Sequence, residues 1–220
     1  MLPQEERSTR NQLLCMLKTE GSCSTSEMAK AMGITEMAVR RHLQIMEREG
    51  LIRSKLVRQP MGRPSYRYSL TERADERFPK NYPQLTLDLF RELEQEPGGT
   101  EMIDRMFAGR RDRLEARLRD RMDKRSLEQR VAELSAIQND GGYMSRWTAD
   151  PHEPGAYLLH EYNCPVAQVA NRYRQACQCE LQLFERLLGA EVERTECLAE
   201  GGRRCTYAIR PAKLPTAVRT

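Results

Sequence analysis

The chain has 220 residues, 39% of them hydrophobic and 31% charged, with a formal net charge of +4. That composition fits a soluble globular protein of one large domain or two small ones. No apolar run nears the roughly 20 residues of a membrane span, and the polar opening MLPQEERSTRNQ leads into no apolar signal core. A cytoplasmic protein without a membrane partner is therefore expected. The charge is unevenly spread: residues 1–67 hold 12 Lys+Arg against 7 Asp+Glu, and the remainder 24 against 25. A polyanion partner is thus expected for the N-terminal third alone.

In chain order, residues 8–18 read as a helix with Leu13, Leu14 and Leu17 on its core side. In GSCSTSEMAKAMG (21–33), Ser24 is suited to cap a second helix, and Glu27 three residues later completes a capping box. Met28, Ala29 and Met32 make its apolar stripe, and Gly33 is its stop signal. ITEMAVRRHLQIMEREG (34–50) restarts the helix, and Val39, Leu43 and Met46 recur at i, i+4 and i+7. Two short helices joined by a tight turn form a helix-turn-helix. LIRSKLVRQPMGRPSYRYSLT (51–71) reads as strands over 51–58 and 66–70 around a Pro/Gly tip. The whole predicts a winged helix.

On that fold, Thr35, Glu36, Met37, Arg40, Arg41 and Gln44 point away from the apolar face of the second helix of the pair. They would enter a DNA major groove, where Arg and Gln read base edges. The wing carries Arg53, Lys55, Arg58, Arg63 and Arg67. Arg63, at the tip, is placed to enter a minor groove or hold a phosphate. The plainer alternative is a solvated basic face on a module used for protein contacts. Double-stranded DNA is the favoured partner.

Residues 73–140 read as a two-proline linker, ERFPKNYPQL, followed by charged helices. Met102, Met106 and Phe107, then Leu114, Leu118 and Met122, form one interrupted apolar stripe, and Val131, Leu134 and Ile137 another. Such helices either cover the rest of the chain or meet a second copy. A homodimer is favoured, because a two-fold axis matches two DNA half-sites. Residues 141–210 read as a small α+β domain: strands in GGYMSRWTAD, AYLLHEYNC, EVERTECLAE and RCTYAI, with helices over 165–174 and 177–188 between the second and third. Residues 211–220 read as a loose tail. The expected domains are 1–72, 73–140 and 141–210, in an α+β fold.

Seven cysteines in a cytoplasmic chain suggest metal ligands, reactive thiols or small core residues rather than structural disulfides. Cys15, among leucines, reads as core, and Cys23 as a loop thiol. Cys164 sits at a strand end before Pro165, a residue suited to the first helical position. A thiolate at a helix N-terminus is stabilised there. Cys197 and Cys205 are centred on Gly201 and would face each other across a hairpin. Cys177 and Cys179 differ by about 200° around a helix, so only one can join the others. An unbroken helix would hold Cys164 and Cys177 about 20 Å apart, so the chain must turn between about 173 and 177 if both serve one site. No Pro or Gly stands there.

There is no CxxC pair, which argues against a zinc ribbon or a thioredoxin-type motif. The set Cys164, Cys177, Cys197 and Cys205 suits an iron–sulfur cluster. A thiol redox switch and inert core cysteines remain open at this point. His160 is a further candidate ligand or a packed strand histidine, and His42 reads as structural or as a phosphate contact. No nucleophile–base–orienter set has motif-grade spacing, so no enzyme is expected.

MAKAMGITEMAVRRHLQIMEREGLI with GRPSYRYSLT is similar to DeoR-type winged-helix regulators. The segment running from NCPVAQVANRYRQACQCE to GGRRCTY resembles the sensor domain of SufR-type iron–sulfur regulators. That resemblance implies a homodimeric repressor holding an oxygen-labile cluster, of the 4Fe–4S type, through C-terminal cysteines. By position it implies Cys164, Cys177 and Cys205 as ligands. Cys197 rests on the hairpin argument, and Cys179 looks like an addition. Zinc or no metal is the alternative cofactor reading. The rival functions are a winged-helix regulator that answers to zinc, thiol oxidation or an organic ligand, and a thiol enzyme or protein-interaction adaptor.

Overall fold

A computed structural model describes residues 8–58 and 64–212. The chain forms two compact units, Met1–Lys80 and Asn81–Thr220.

In the first unit, α1 (Thr9–Glu20) opens at Ser8, whose side chain accepts from the Asn11 amide. It buries Leu13, Leu14 and Leu17. Cys15 is exposed, against the core expectation. The leucine face is already set by positions 13, 14 and 17, and position 15 turns about 100° beyond Leu14. Cys23, expected in a loop, is buried in β1 (Cys23–Ser24), which bridges to Tyr68. Helix α2 (Thr25–Met32) starts with the full capping box of Ser24 and Glu27, and left-handed Gly33 ends it. Helix α3 (Glu36–Arg48) is capped by Thr35 and buries Val39, Leu43 and Met46. Strands β2 (Ile52–Val57) and β3 (Ser65–Leu70) pair antiparallel from Ile52↔Leu70 to Val57↔Ser65. The sheet order is β1-β3-β2. Leu13, Leu17, Met28, Val39, Leu43 and Met46 share one core. The short α4 (Glu72–Asp75) follows, its Asp75 paired with Lys18 and Lys80.

The second unit begins with α5 (Tyr82–Gln95), α6 (Gly99–Met122) and α7 (Leu127–Asp140). Strands β4 (Ser145–Ala149) and β5 (Tyr157–Glu161) precede α8 (Ala167–Arg172) and α9 (Gln175–Leu188). Strands β6 (Ala190–Glu196) and β7 (Cys205–Pro211) complete an antiparallel sheet of order β4-β5-β7-β6. Residues 81–140 fall in the same compact unit as the sheet. Leu118, Met122, Val131 and Leu134 belong to the same core as Leu159, Phe184, Leu188 and Tyr207. The physical reason is the apolar side of the sheet: it must be covered, α7 and α9 cover it, and α6 packs against α9. The unit boundary falls after Lys80 rather than at residue 72.

The break between α8 and α9 lies at Tyr173, with φ −111° and ψ 88°. Tyr173 is 3% exposed and meets the Phe90 ring edge-on, centroids 4.9 Å apart. Phe90 meets Phe107 in the same way at 5.7 Å. Burial of that ring against α5 fixes the corner without Pro or Gly. Among the described residues no helix is long and apolar enough to cross a membrane.

Candidate functional site

The first unit presents Met37, Arg40, Arg41 and Gln44 on the exposed side of α3, with Met37 77% exposed. Two of the expected contact residues have local duties. Thr35 caps the helix, its hydroxyl accepting from the Ala38 amide at 3.2 Å. Glu36 pairs with Arg40 at 3.2 Å. Arg67 points inward rather than along the wing. It donates to the Ser22 carbonyl at 2.5 Å, to the Ser22 hydroxyl at 3.2 Å and to Glu27 at 3.3 Å. Those bonds tie β3 to the start of α2, a long-range use that strand periodicity could not reveal. Arg58 and Lys55 are exposed, and Arg53 leans on the Ser69 hydroxyl. Arg63 lies outside the described residues. A groove brings together Ser26 of α2, Arg40 and Gln44 of α3, and Tyr66 of β3. Ser26 and Tyr66 escaped the sequence reading because only the packed unit sets them beside α3.

In the second unit four cysteines from four segments gather at one core. Cys177, Cys197 and Cys205 are buried members, and half-buried Cys164 packs against the same core. Cys164 stands just after β5, and its carbonyl accepts from Ala167 at the start of α8. Cys177 lies in the first turn of α9. Cys205 is the first residue of β7 and pairs with Glu161. Cys197 falls just past β6, at the head of the 3-10 turn Leu198–Glu200, rather than within the strand. Gly201, at φ 86°, and Gly202 shape that turn. A Cβ on Gly202 would stand 2.7 Å from the Cys197 carbonyl oxygen. Cys179 faces away, toward the aromatic group around Phe90 and Phe107. That is the divergence the helix angle demands.

The Leu198 amide donates to Cys205 Sγ at 3.4 Å. Burial pushes the Cys177 thiol up to about 12, helped by Cys197, and burial does the same for Cys205. Cys164 is also raised, chiefly by burial. Among the described residues no three of His, Cys, Asp and Glu already stand close enough to grip a metal ion.

Two carboxylates that sequence reasoning did not single out lie beside these thiols. Glu161 is 1% exposed and accepts from Gln138 Nε2 at 2.7 Å. Burial, and then Glu180, pushes it up to about 9. Glu180 accepts from the Tyr207 hydroxyl at 2.8 Å, and burial raises it too. Arg194 donates to the Cys177 carbonyl at 2.8 Å. Burial is the largest cause that raises Cys164, Cys177 and Cys205, and it keeps the thiols protonated. His160 is engaged elsewhere, its Nδ1 3.1 Å from the Thr206 hydroxyl. Burial lowers its pKa.

A helix-turn-helix with a β-hairpin wing and an exposed face on its second helix defines a DNA-binding domain of the winged-helix class, the class of transcription regulators. Residues 7–54 match the family described as "Bacterial regulatory protein, arsR family", where the sequence resemblance was to DeoR-type regulators. No curated protein matches the chain. Among solved structures, the chain is similar to a double mutant of Lactococcus lactis ZitR in apo form. Identity is 22%, coverage 50% of this chain and 85% of that one, and the TM-score 0.29. It is likewise similar to a cysteine-to-serine mutant of that protein, at 22% identity, 52% and 79% coverage and a TM-score of 0.28.

Proposed function

We propose that the chain is a homodimeric transcription regulator, not an enzyme, that reads iron–sulfur status through Cys164, Cys177, Cys197 and Cys205. The observation that carries the reading is the convergence of these four cysteines, from four separate segments, on one core. Each is a thiol that a soft metal can deprotonate on binding. The donor set suits the group chemically: four cysteine sulfurs are the ligands that such a cluster takes. When bound, an iron–sulfur cluster would supply an oxygen-labile cross-link among the segments that carry the thiols. The chain's own part is to present the sulfurs. The Tyr173 corner separates α8 from α9, so Cys164 and Cys177 are not held at the two ends of one straight helix. The Gly201–Gly202 turn sets Cys197 beside Cys205. Cluster loss would free these segments and shift the regulator between DNA-binding states.

The test is anaerobic purification, with iron, acid-labile sulfide, zinc and the visible spectrum measured on one sample. Matching iron and sulfide with a broad band that bleaches in air is the expected result. Colourless protein with zinc, or with no metal after anaerobic reconstitution, overturns the cluster reading.

The burial of Cys177 and Cys197 in one core favours a second reading, a thiol switch. One hydrogen peroxide would take both sulfur hydrogens, leaving a disulfide and two waters. A metal-free protein whose mass falls by about 2 Da after peroxide and recovers with dithiothreitol would support it.

A further inference from the structure

The C-terminal unit also holds a cavity of about 460 Å³ between α6, α7 and α9. It takes no ligand role in the cysteine reading and stands independently of it. Its floor is apolar, formed by Leu114 and Leu118 of α6, Ile137 of α7, and Leu183 and Phe184 of α9. Its wall carries Arg110, Arg111, Arg117 and Arg121. Positions 117 and 121 each fall within about 20° of position 110 around α6, so the three form one cationic row along the opening.

Two of the four arginines are engaged. Arg111 pairs with Asp112 at 2.7 Å and also bonds Gln182, and Arg121 pairs with Glu133. Arg110 and Arg117 have neither an ion pair nor a hydrogen bond among the described residues. Two acids also line the cavity: Glu180, which accepts from the Tyr207 hydroxyl, and Asp140. A row of arginines on a helix is ordinarily a solvated face. Here it edges an apolar volume of the size that small-molecule sites occupy.

We propose that this cavity binds a small organic anion with an apolar body: a carboxylate carried on an acyl or aryl frame. Arg110 and Arg117 hold the head group, since guanidinium forks match a carboxylate. Leu114, Leu183 and Phe184 take the body. Inorganic phosphate would leave the floor wet, and a neutral lipid would leave both arginines unmatched. Cys179 and Glu180 line the same wall. An occupant therefore bears on α9, the helix that also carries Cys177, and gives this unit a second input.

The probe is 1-anilino-8-naphthalenesulfonate with the full chain, followed by fluorescence. Decanoate is expected to displace it, while equal concentrations of decanol or inorganic phosphate do not. The double variant Arg110→Ala/Arg117→Ala should weaken both the probe and decanoate by at least about tenfold. Both side chains are exposed, so an unchanged melting curve is expected and checks that the fold survives. Leu114→Trp, which fills the floor, should block both compounds. Unchanged affinity in the double variant, or displacement by decanol or phosphate as good as by decanoate, overturns the proposal.

Discussion

The backbone amide of Leu198 donates to the sulfur of Cys205 across 3.4 Å. The turn after β6 is thereby tied to the first residue of β7, and Cys197, one residue before Leu198, is held at the same corner. Serine in place of Cys205 keeps an acceptor there but removes a soft ligand. We expect Cys164→Ser, Cys177→Ser, Cys197→Ser and Cys205→Ser each to lose most of the iron, the sulfide and the visible band. Cys179→Ser, on the other face of α9, should keep all three. Metal analysis of the five purified variants decides it. A Cys179 variant that bleaches while the others hold iron would reverse the assignment.

Recognition by α3 divides into base reading and charge. Arg41→Ala and Gln44→Ala should each cost about 1–3 kcal/mol on the preferred operator and relax its sequence preference. Arg58→Ala should weaken all sequences alike and reduce the slope of log affinity against log salt by about 1. Fluorescence anisotropy across a salt series, on specific and scrambled duplexes, separates the two effects.

Arg67 was expected on the DNA and is found bracing the winged helix. Its bonds to Ser22 and Glu27 predict that Arg67→Ala destabilises the domain by about 1–3 kcal/mol. A lower melting temperature is the readout. If Arg67→Ala melts like the parent and only DNA affinity falls, the bracing role is wrong.

Glu161 makes the metal-free protein pH-sensitive. An unfolded glutamate ionises near about 4.3, whereas burial and then Glu180 hold the folded one up to about 9. The folded state thus favours the proton. Its contribution is complete below the unfolded value and is lost as pH rises toward 9. Glu161→Gln retains an acceptor for Gln138 and has no charge to bury. Its melting temperature should exceed that of the parent at pH 8 by at least about 2–4 °C, the effect of about 1 kcal/mol. The two should converge near pH 4. Parallel melting curves across that range would contradict the assignment.

The helices and strands of the first unit were written in local signals. Ser24 with Glu27, Thr35, Gly33 and the Val39/Leu43/Met46 spacing act within a few residues of themselves, and each appears in the structure as its local chemistry requires. Cys15 and Cys23 exchanged environments because neighbours in sequence do not say which side of α1 is covered, nor that the segment at Cys23 pairs with β3. The spacing of the later cysteines likewise demanded a corner before Cys177 without locating its cause.

The sequence by itself determined a winged helix with a basic N-terminal third, and a thiol-rich α+β segment near the end of the chain. Those properties follow from periodicity, capping and charge, which are read residue by residue. Only the tertiary structure decided that Leu118, Met122, Val131 and Leu134 share a core with the sheet, that the Tyr173 ring on Phe90 breaks the helix, and that Glu161 and Glu180 lie among the thiols. It alone set Arg110 and Arg117 over an apolar cavity. Each depends on contacts between residues far apart in the chain, where burial, not local propensity, sets the conformation and the charge.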